Sequence, residues 1–289
     1  MAGNQEDNVG PLFGTFVTGV WPTGDAPGQS AGCRAFAAES WAGVPEAFRA
    51  GAGLPPPWGA LFEPLRRGAV DDLVVVGQVG QSLDGRTATS SGHSHYINCA
   101  EGLDHLHRVR ALVDAVVVGV GTVAADDPQL TVRRVAGPNP ARVVIDPHGR
   151  MPAQARMLTD GVRRIVVTHE GMRGPRGVET IVLPGESGHI APAAILARLA
   201  ECGFRRILIE GGANTVSRFV AARCIDRLHI MVAPLILGAG PSAFALPPIE
   251  RVDDAMRPPV RAFRLGDDVL FDCDLSAHRA PIGRANRST

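Results

Sequence analysis

The stretch that decides the fold is "VRALVDAVVVGVGTVAADDPQLTVRR", residues 109–134. A helical end runs into the β-branched segment AVVV at residues 115–118, which is typical of a strand buried on both faces. The segment GVGT follows at residues 119–122. Glycines directly after a buried strand let backbone N–H groups approach an anion closely, and Thr122 adds a hydroxyl. The pattern therefore predicts a phosphate-binding turn at the end of a central strand.

Charged residues come directly after this turn. Asp126 and Asp127 precede Pro128, which is typical of a turn, and residues 130–134 (LTVRR) then bring two guanidinium groups. Together these residues offer a phosphate cradle, acids and paired arginines at one sheet edge. An ordinary strand, a glycine turn and a surface charge pair would show the same letters, because a lone GxG is a weak signal.

A second block, "RRILIEGGANTVSRF" at residues 205–219, has a similar arrangement. A buried strand ends at Glu210, and Gly211 and Gly212 lead into a helix that starts at about Ala213. Backbone N–H groups at a helix start bind anions, and a carboxylate at the end of a parallel strand faces the crevice where such sheets bind ligands. The alternative is that Glu210 forms a structural salt bridge.

Composition excludes several classes of function. The formal net charge is zero over 289 residues, which argues against nucleic-acid and acidic-membrane binding, and no apolar run is long enough to span a bilayer. We therefore expect a cytoplasmic protein without membrane or nucleic-acid partners. The five cysteines are scattered without a CxxC pair, and the H-x-H spacings lack a third ligand, so we expect no metal site. All 29 basic residues are arginine, so anion binding must use guanidinium groups, backbone N–H groups or hydroxyls.

The chain divides into three parts. Residues 1–69 form a Gly/Pro/aromatic-rich N-terminal extension with all three tryptophans, which we expect to pack partly onto the domain or onto a partner subunit. Within it, residues 34–50 could form one helix, broken or kinked at Pro45. Residues 70–276 alternate strands and helices, and residues 277–289 form a C-terminal tail. The alternation predicts an α/β fold: a mixed, mostly parallel sheet with helices on both faces and a final hairpin.

The string GTVAADDPQLTVR at residues 121–133 is far more specific than its glycines alone. It resembles the pyrimidine reductase domain of riboflavin biosynthesis, a member of the dihydrofolate-reductase-like superfamily. The resemblance covers residues 70–274 and implies the dihydrofolate-reductase-like fold. It also implies NADPH as cofactor and a phosphorylated pyrimidine as substrate. In the family reaction, hydride from the nicotinamide attacks the former anomeric carbon of a phosphoribosylamino-pyrimidine, and a ribitylamino group results.

The resemblance assigns roles to individual residues of this chain. The implied substrate contacts are Ser94, Arg110, Leu130, Arg133 and Glu210, and Glu210 is also the catalytic candidate. The implied cofactor contacts are Gly80, Tyr96, Gly121, Thr122, Asp126, Gly212, Ala213, Asn214 and Thr215. Two converging guanidinium groups, from Arg110 and Arg133, suit a sugar phosphate because each can bind its oxygens bidentately.

The sequence departs from the family at Gln78, where a lysine commonly reaches the substrate. A neutral amide can hydrogen-bond a hydroxyl or carbonyl but supplies no charge. The zinc deaminase signature of bifunctional relatives, H-x-E with P-C-x-x-C, does not occur in the chain.

The sequence therefore predicts an NADPH-dependent reductase like 5-amino-6-(5-phosphoribosylamino)uracil reductase. Two alternatives stay open: a reductase of another pterin or heterocycle, and a nucleotide-binding module without turnover. The family often pairs through its sheet edge, so we expect a homodimer, with the apolar residues 228–237 as the candidate edge. The NADPH 2′-phosphate needs an arginine that the sequence does not identify.

Overall fold

The computed structural model describes residues 40–94, 97–185 and 188–282. Within them the strands are β1 (Val74–Ser82), β2 (Ala115–Gly119), β3 (Ala141–Ile145), β4 (Arg164–Thr168), β5 (Glu179–Val182), β6 (Arg206–Glu210), β7 (Arg227–Ala233), β8 (Val260–Leu265) and β9 (Asp268–Asp274). The helices are α1 (Val44–Ala50), α2 (Trp58–Phe62), α3 (Ala100–Leu112), α4 (Val120–Asp126), α5 (Pro192–Glu201) and α6 (Ala213–Ala221).

The described strands form one nine-stranded sheet in the order β5-β4-β3-β2-β6-β1-β7-β9-β8. Neighbouring strands from β5 to β7 are parallel, whereas β9 runs antiparallel to both β7 and β8. The predicted mixed, mostly parallel sheet with a final hairpin is therefore confirmed. The prediction that residues 228–237 supply a sheet edge is wrong, because β7 is paired on both sides and the edges are β5 and β8.

Alternating side chains of the central strands fill two cores, one on each face of the sheet. Val116 and Val118 of β2 contribute to the core under α3 and α4. Ala115 and Val117 contribute to the core under α5 and α6. Because successive side chains of a strand point to opposite faces, this segment is apolar throughout, as predicted for a strand covered on both sides. None of the described helices is long and apolar enough to cross a membrane.

Helix α4 follows β2 without a connecting turn. Gly119 is the last residue of β2, and Val120 is already the first residue of the helix. The expected glycine turn is therefore the first turn of α4, whose free N–H groups point towards the same edge of the sheet. Asp127 ends the helix at φ 39°, and Leu130 also has a positive φ of 54°. The loop that connects α4 to β3 thus starts in a strained backbone conformation, which contacts with the rest of the protein must stabilise.

The N-terminal extension packs on α3 through its described part. Trp41, Phe48, Trp58 and Phe62 are buried in the same core as α3, and the rings of Trp41 and Trp58 lie 5.1 Å apart. Pro45 lies in the first turn of α1, where its missing N–H costs nothing, so it starts this helix and does not kink a longer one. Residues 34–39 of the expected helix lie outside the described residues.

Helix α3 is buried at polar positions: the extension covers His105 and Arg108, whereas His107 and Arg110 contact the loop that contains Thr131 and Arg133. His105, His107, Arg108 and Arg110 are all buried, whereas Leu103 and Leu106 are only half-buried. The sheet lies on one side of α3, and the extension shields a second side from water. Helix α3 is therefore covered on more than the one face that an amphipathic surface helix buries.

Two buried histidines of α3 should make the protein sensitive to mild acid. The ring of His105 lies between Phe62 and His229, and burial holds its pKa well below the ordinary value. Burial is also the main cause that lowers the pKa of His107 to about 3, and neighbouring arginines add to it. Below about pH 6.5 these histidines therefore bind protons in the unfolded chain but not in the folded chain. The free energy of unfolding consequently decreases as the pH is lowered. Asp226 acts in the opposite direction, because burial raises its pKa to about 6.

We therefore expect the free energy of unfolding to fall between pH 6.5 and 5. In His107→Gln the slope of this fall should shrink by up to about 1.4 kcal/mol per pH unit, the value for one proton. Urea unfolding at several pH values measures both slopes. Identical slopes for the two proteins would show that His107 takes up its proton in the folded state.

Candidate active site

A cleft of about 430 Å³ opens at the carboxyl ends of β2 and β3, between the first turns of α4 and α6. Six of the nine predicted cofactor residues line this cleft: Gly121, Thr122, Asp126, Gly212, Asn214 and Thr215. Ala213 lies between lining residues at the start of α6. The structure therefore brings together two segments that are 90 residues apart in the chain, at the sheet edge where parallel α/β folds bind ligands.

Close approach of neighbouring side chains explains two glycines at this cleft. A Cβ atom on Gly119 would lie 2.6 Å from Thr215 Oγ1, and one on Gly211 would lie 2.9 Å from Thr122 Oγ1. Gly211 also has a φ of 118°, which side chains rarely adopt. Thr122 Oγ1 accepts a hydrogen bond of 3.1 Å from the backbone N–H of Gly212. This bond holds α4 against the β6–α6 turn and leaves the hydroxyl proton of Thr122 free to donate.

Four basic side chains also line the cleft. His148, Arg150, His189 and Arg218 belong to its lining. Arg218 Nη1 donates a 2.7 Å hydrogen bond to His189 Nδ1, and among the described residues no carboxylate pairs with Arg150 or Arg218. The motifs of the sequence did not indicate His148, Arg150 or His189. The signal that could have indicated them is their position at the carboxyl edge of the sheet, where His148 and Arg150 follow β3 and His189 precedes α5.

Arg110 and Glu210 form an ion pair beside this cleft. Arg110 Nε donates to Glu210 Oε2 at 2.8 Å, and Arg110 Nη2 donates to Glu210 Oε1. Arg110 Nη1 also donates to the backbone oxygen of Thr131 at 3.1 Å. The two side chains are 6% and 13% exposed, so the carboxylate is held by a nearly buried, bidentate partner. The salt bridge considered as an alternative is therefore present, and it joins two of the predicted substrate residues.

Arg133 lies next to this pair with its guanidinium uncommitted. Within the described chain its guanidinium makes one weak contact, 3.4 Å to Thr131 Oγ1, and no ion pair. Partial burial and the charge of Arg110 lower the pKa of Arg133. The backbone N–H of Arg133 donates to His107 Nδ1 at 3.0 Å, which fixes His107 as a neutral acceptor at that nitrogen. An exposed cation that its neighbours repel is suited to an anionic ligand.

Gln78 lies beside Glu210 in the register of β1 and β6, and beside His229 in the register of β1 and β7. Its side chain is 6% exposed, and its Oε1 has no hydrogen-bond partner among the described residues. Position 78 supplies no positive charge, and the direct ion-pair partner of Glu210 is Arg110.

The remaining predicted residues have different surroundings. A Cβ atom on Gly80 would lie 2.1 Å from Asn98 Oδ1, so this glycine makes room for Asn98. Leu130 is 1% exposed in the core, and only its backbone could contact a ligand. Ser94 is half-buried at the end of a described loop, and Tyr96 lies outside the described residues. Within the described ranges no group of three His, Cys, Asp or Glu residues could hold a metal ion.

Comparison with solved structures places this fold in a class of reductase domains. The chain matches a Thermotoga maritima diaminohydroxyphosphoribosylaminopyrimidine deaminase/5-amino-6-(5-phosphoribosylamino)uracil reductase with a TM-score of 0.62 and 26% identity, over 75% of this chain and 59% of that one. It matches Acinetobacter baumannii RibD with the same TM-score and identity, over 81% of this chain and 68% of that one. Both matches cover more than two thirds of the present chain.

Sequence comparison then gives the family. The family model for the RibD C-terminal domain matches residues 74–270, from β1 into β9. The chain belongs to the RibD C-terminal domain family.

Two archaeal relatives match this chain over most of their own length. A protein of Methanothermobacter thermautotrophicus is 33% identical over 210 residues, which cover 68% of this chain and 96% of that protein. A protein of Archaeoglobus fulgidus is 35% identical over 175 residues, which cover 55% of this chain and 80% of that protein. Both are named 2,5-diamino-6-ribosylamino-4(3H)-pyrimidinone 5′-phosphate reductase.

Proposed function

We propose that this protein is an NADPH-dependent reductase of a phosphoribosylamino-pyrimidine in riboflavin biosynthesis. The observation that carries the proposal is the β6–α6 turn. Glu210 at the end of β6 pairs with Arg110 beside the free guanidinium of Arg133, and Gly212, two residues later, lines the cleft. One turn therefore joins a site for an anionic substrate to a site for a dinucleotide, as a hydride transfer requires.

The roles of the residues follow from their partners. When bound, the nicotinamide cofactor supplies the hydride. Arg133 binds the substrate phosphate, and the α4 and α6 termini with Thr122 hold the cofactor. Glu210 accepts hydrogen bonds from sugar hydroxyls, because a carboxylate that is held by two guanidinium N–H groups is an acceptor. Protonation of Glu210 would weaken the hydrogen bonds from Arg110. A bound water therefore supplies the proton for the opened sugar.

The experiment is NADPH oxidation by the purified full-length chain with a panel of substrates. We expect turnover with 5-amino-6-(5-phosphoribosylamino)uracil. The archaeal relatives favour 2,5-diamino-6-ribosylamino-4(3H)-pyrimidinone 5′-phosphate as a second candidate, and the panel includes it. Turnover only with a pterin or another heterocycle would overturn the substrate, and cofactor binding without any turnover would overturn the enzyme.

NADPH is expected to bind more tightly than NADH through the two arginines of the cleft. Changing both Arg150 and Arg218 to alanine should weaken NADPH binding about 10- to 100-fold, because charge-assisted hydrogen bonds to the 2′-phosphate are lost. NADH, which lacks this phosphate, should bind within about twofold of the wild type. Calorimetric titration measures the Kd of both cofactors.

The matched control changes Arg198 and Arg251 to alanine, two exposed arginines outside the cleft. Equal losses for NADPH and NADH would remove the assignment.

We also propose that the protein is a cytoplasmic homodimer, with β8 and the loop before it as the interface. Edge strand β8 is largely exposed, and its first residue, Val260, is 48% exposed. In the loop before it, Ile249 and Val252 are 55% and 75% exposed. An open edge next to apolar side chains favours pairing with a second copy. A monomer mass by light scattering at micromolar concentration would contradict the dimer, and cell fractionation tests the location.

A further inference from the structure

Residues 40–65 form a segment that lies before the family domain, whose match begins at residue 74. We call this segment the N-terminal clamp. It contains α1 and α2, and its rings are buried in the core above the sheet. Its contacts concentrate on two places: the last turn of α3, which carries Arg110, and the loop that follows Arg133.

The first set of contacts holds the last turn of α3. Arg49 Nη2 donates a 2.6 Å hydrogen bond to the backbone oxygen of Ala111, the residue after Arg110. A cation at a helix C-terminus also interacts favourably with the free carbonyl groups there. The guanidinium of Arg108 lies over the rings of Trp58 and Trp41, at 4.7 and 5.7 Å. The clamp therefore fixes the residues on either side of Arg110.

The second set of contacts holds the loop that carries Arg133. Trp41 Nε1 donates a 2.8 Å hydrogen bond to the backbone oxygen of Ala136, three residues after Arg133. Gly137 fits between α3 and the clamp: a Cβ atom there would lie 2.5 Å from Ala111 Cβ and 3.6 Å from Pro45 Cγ. Its φ of 145° also requires glycine. Helix α3, the loop and the clamp thus meet at one point.

The clamp contacts lie outside the Arg110–Glu210 ion pair, and the two segments they hold carry Arg110 and Arg133. Arg110 and Arg133 both hydrogen-bond Thr131, through its backbone oxygen and its hydroxyl respectively. The loop between them contains Asp127 and Leu130 at positive φ, so its own backbone preference opposes this conformation. External contacts must therefore hold the loop, and the clamp supplies one of them at Ala136.

We propose that the N-terminal clamp is a positioning element that sets the separation of Arg110 and Arg133 and so determines the affinity for the substrate phosphate. The inference rests on the proposed function, because it takes the phosphate as the ligand of Arg133. Trp41 and Arg49 act through Arg133 and Arg110 and do not touch the substrate. The competing view is that the segment only completes the hydrophobic core.

The test compares two Trp→Phe variants of the full-length chain. Trp41→Phe keeps an aromatic ring but removes the N–H that binds Ala136. Trp58→Phe is the matched control, because it keeps an aromatic ring beside Arg108 and removes an indole N–H that donates to Ser40 within the clamp itself. Trp41→Phe should raise KM for the phosphorylated substrate about 3- to 10-fold, with kcat and the NADPH Kd within about twofold. KM for the dephosphorylated substrate should not change, and Trp58→Phe should leave all these values near the wild type.

A second pair of variants covers the case in which Trp41→Phe fails to fold. Arg49 is exposed, so Arg49→Gln removes its bond to Ala111 at little risk to the core. It should also raise KM for the phosphorylated substrate, and Arg49→Lys, which keeps one donor, should restore part of the affinity. An unchanged KM in folded variants, or equal losses in Trp41→Phe and Trp58→Phe, would overturn the inference. A wild-type chain without turnover would instead overturn the proposed function.

Discussion

Arg133→Ala is expected to lower kcat/KM for the phosphorylated substrate about 10- to 100-fold, the loss from one charge-assisted hydrogen bond of about 1.5–3 kcal/mol. The guanidinium of Arg133 has no carboxylate partner among the described residues, and partial burial together with the charge of Arg110 beside it lowers its pKa. Binding an anion relieves this repulsion. The dephosphorylated substrate never makes the contact, so its kcat/KM should stay close to that of the wild type.

The neighbouring residue gives a matched control for this prediction. Arg134 Nε donates to Asp104 Oδ1 at 2.6 Å, so its charge is already paired at the surface. Arg134→Ala should therefore leave the discrimination between the two substrates unchanged, because surface ion pairs contribute little. NADPH affinity should stay within about twofold in Arg133→Ala, since Thr122 and the Gly212 turn remain. A tenfold loss of NADPH affinity with unchanged discrimination would show that the two half-sites are reversed.

Arg110→Ala is expected to damage both stability and activity, more severely than Arg133→Ala. It removes two bonds to Glu210 and one to Thr131, and it leaves a nearly buried carboxylate without a partner. Removing one partner of a buried pair costs about 3–5 kcal/mol, so the free energy of unfolding should fall by roughly that amount. We expect kcat/KM to fall more than about 100-fold for both substrates, because Glu210 also loses its orientation.

The double variant Arg110→Ala/Glu210→Gln separates the two effects. The amide introduced at position 210 carries no charge, so urea unfolding should show part of the lost stability restored. Activity should not return, because neither the guanidinium nor the carboxylate is present. If Arg110→Ala alone were as stable as the wild type, the ion pair would contribute nothing to folding. If the double variant regained activity, Glu210 would not be the substrate-contacting group.

Short segments of sequence determined most of the fold and the residues of the cleft. The apolar run at 115–118, the alternation of strands and helices, and the helix start after Gly212 are local patterns. Periodicity and propensity encode them within about ten to fifteen residues. The string at residues 121–133 and the Glu210 turn also identified six cleft residues, because parallel strands bring their carboxyl ends to one edge.

Tertiary structure alone decided which of these residues are partners. Arg110 and Glu210 are 100 residues apart, and their pairing depends on how α3 packs on β6. Arg133, beside them, has no ion pair among the described residues. Sequence could not place β7 inside the sheet, because an apolar strand has the same pattern at an edge or in the middle. Nor could it show that the N-terminal clamp reaches Ala111 and Ala136. Long-range contacts are selected by packing of the whole chain, and no local window contains that information.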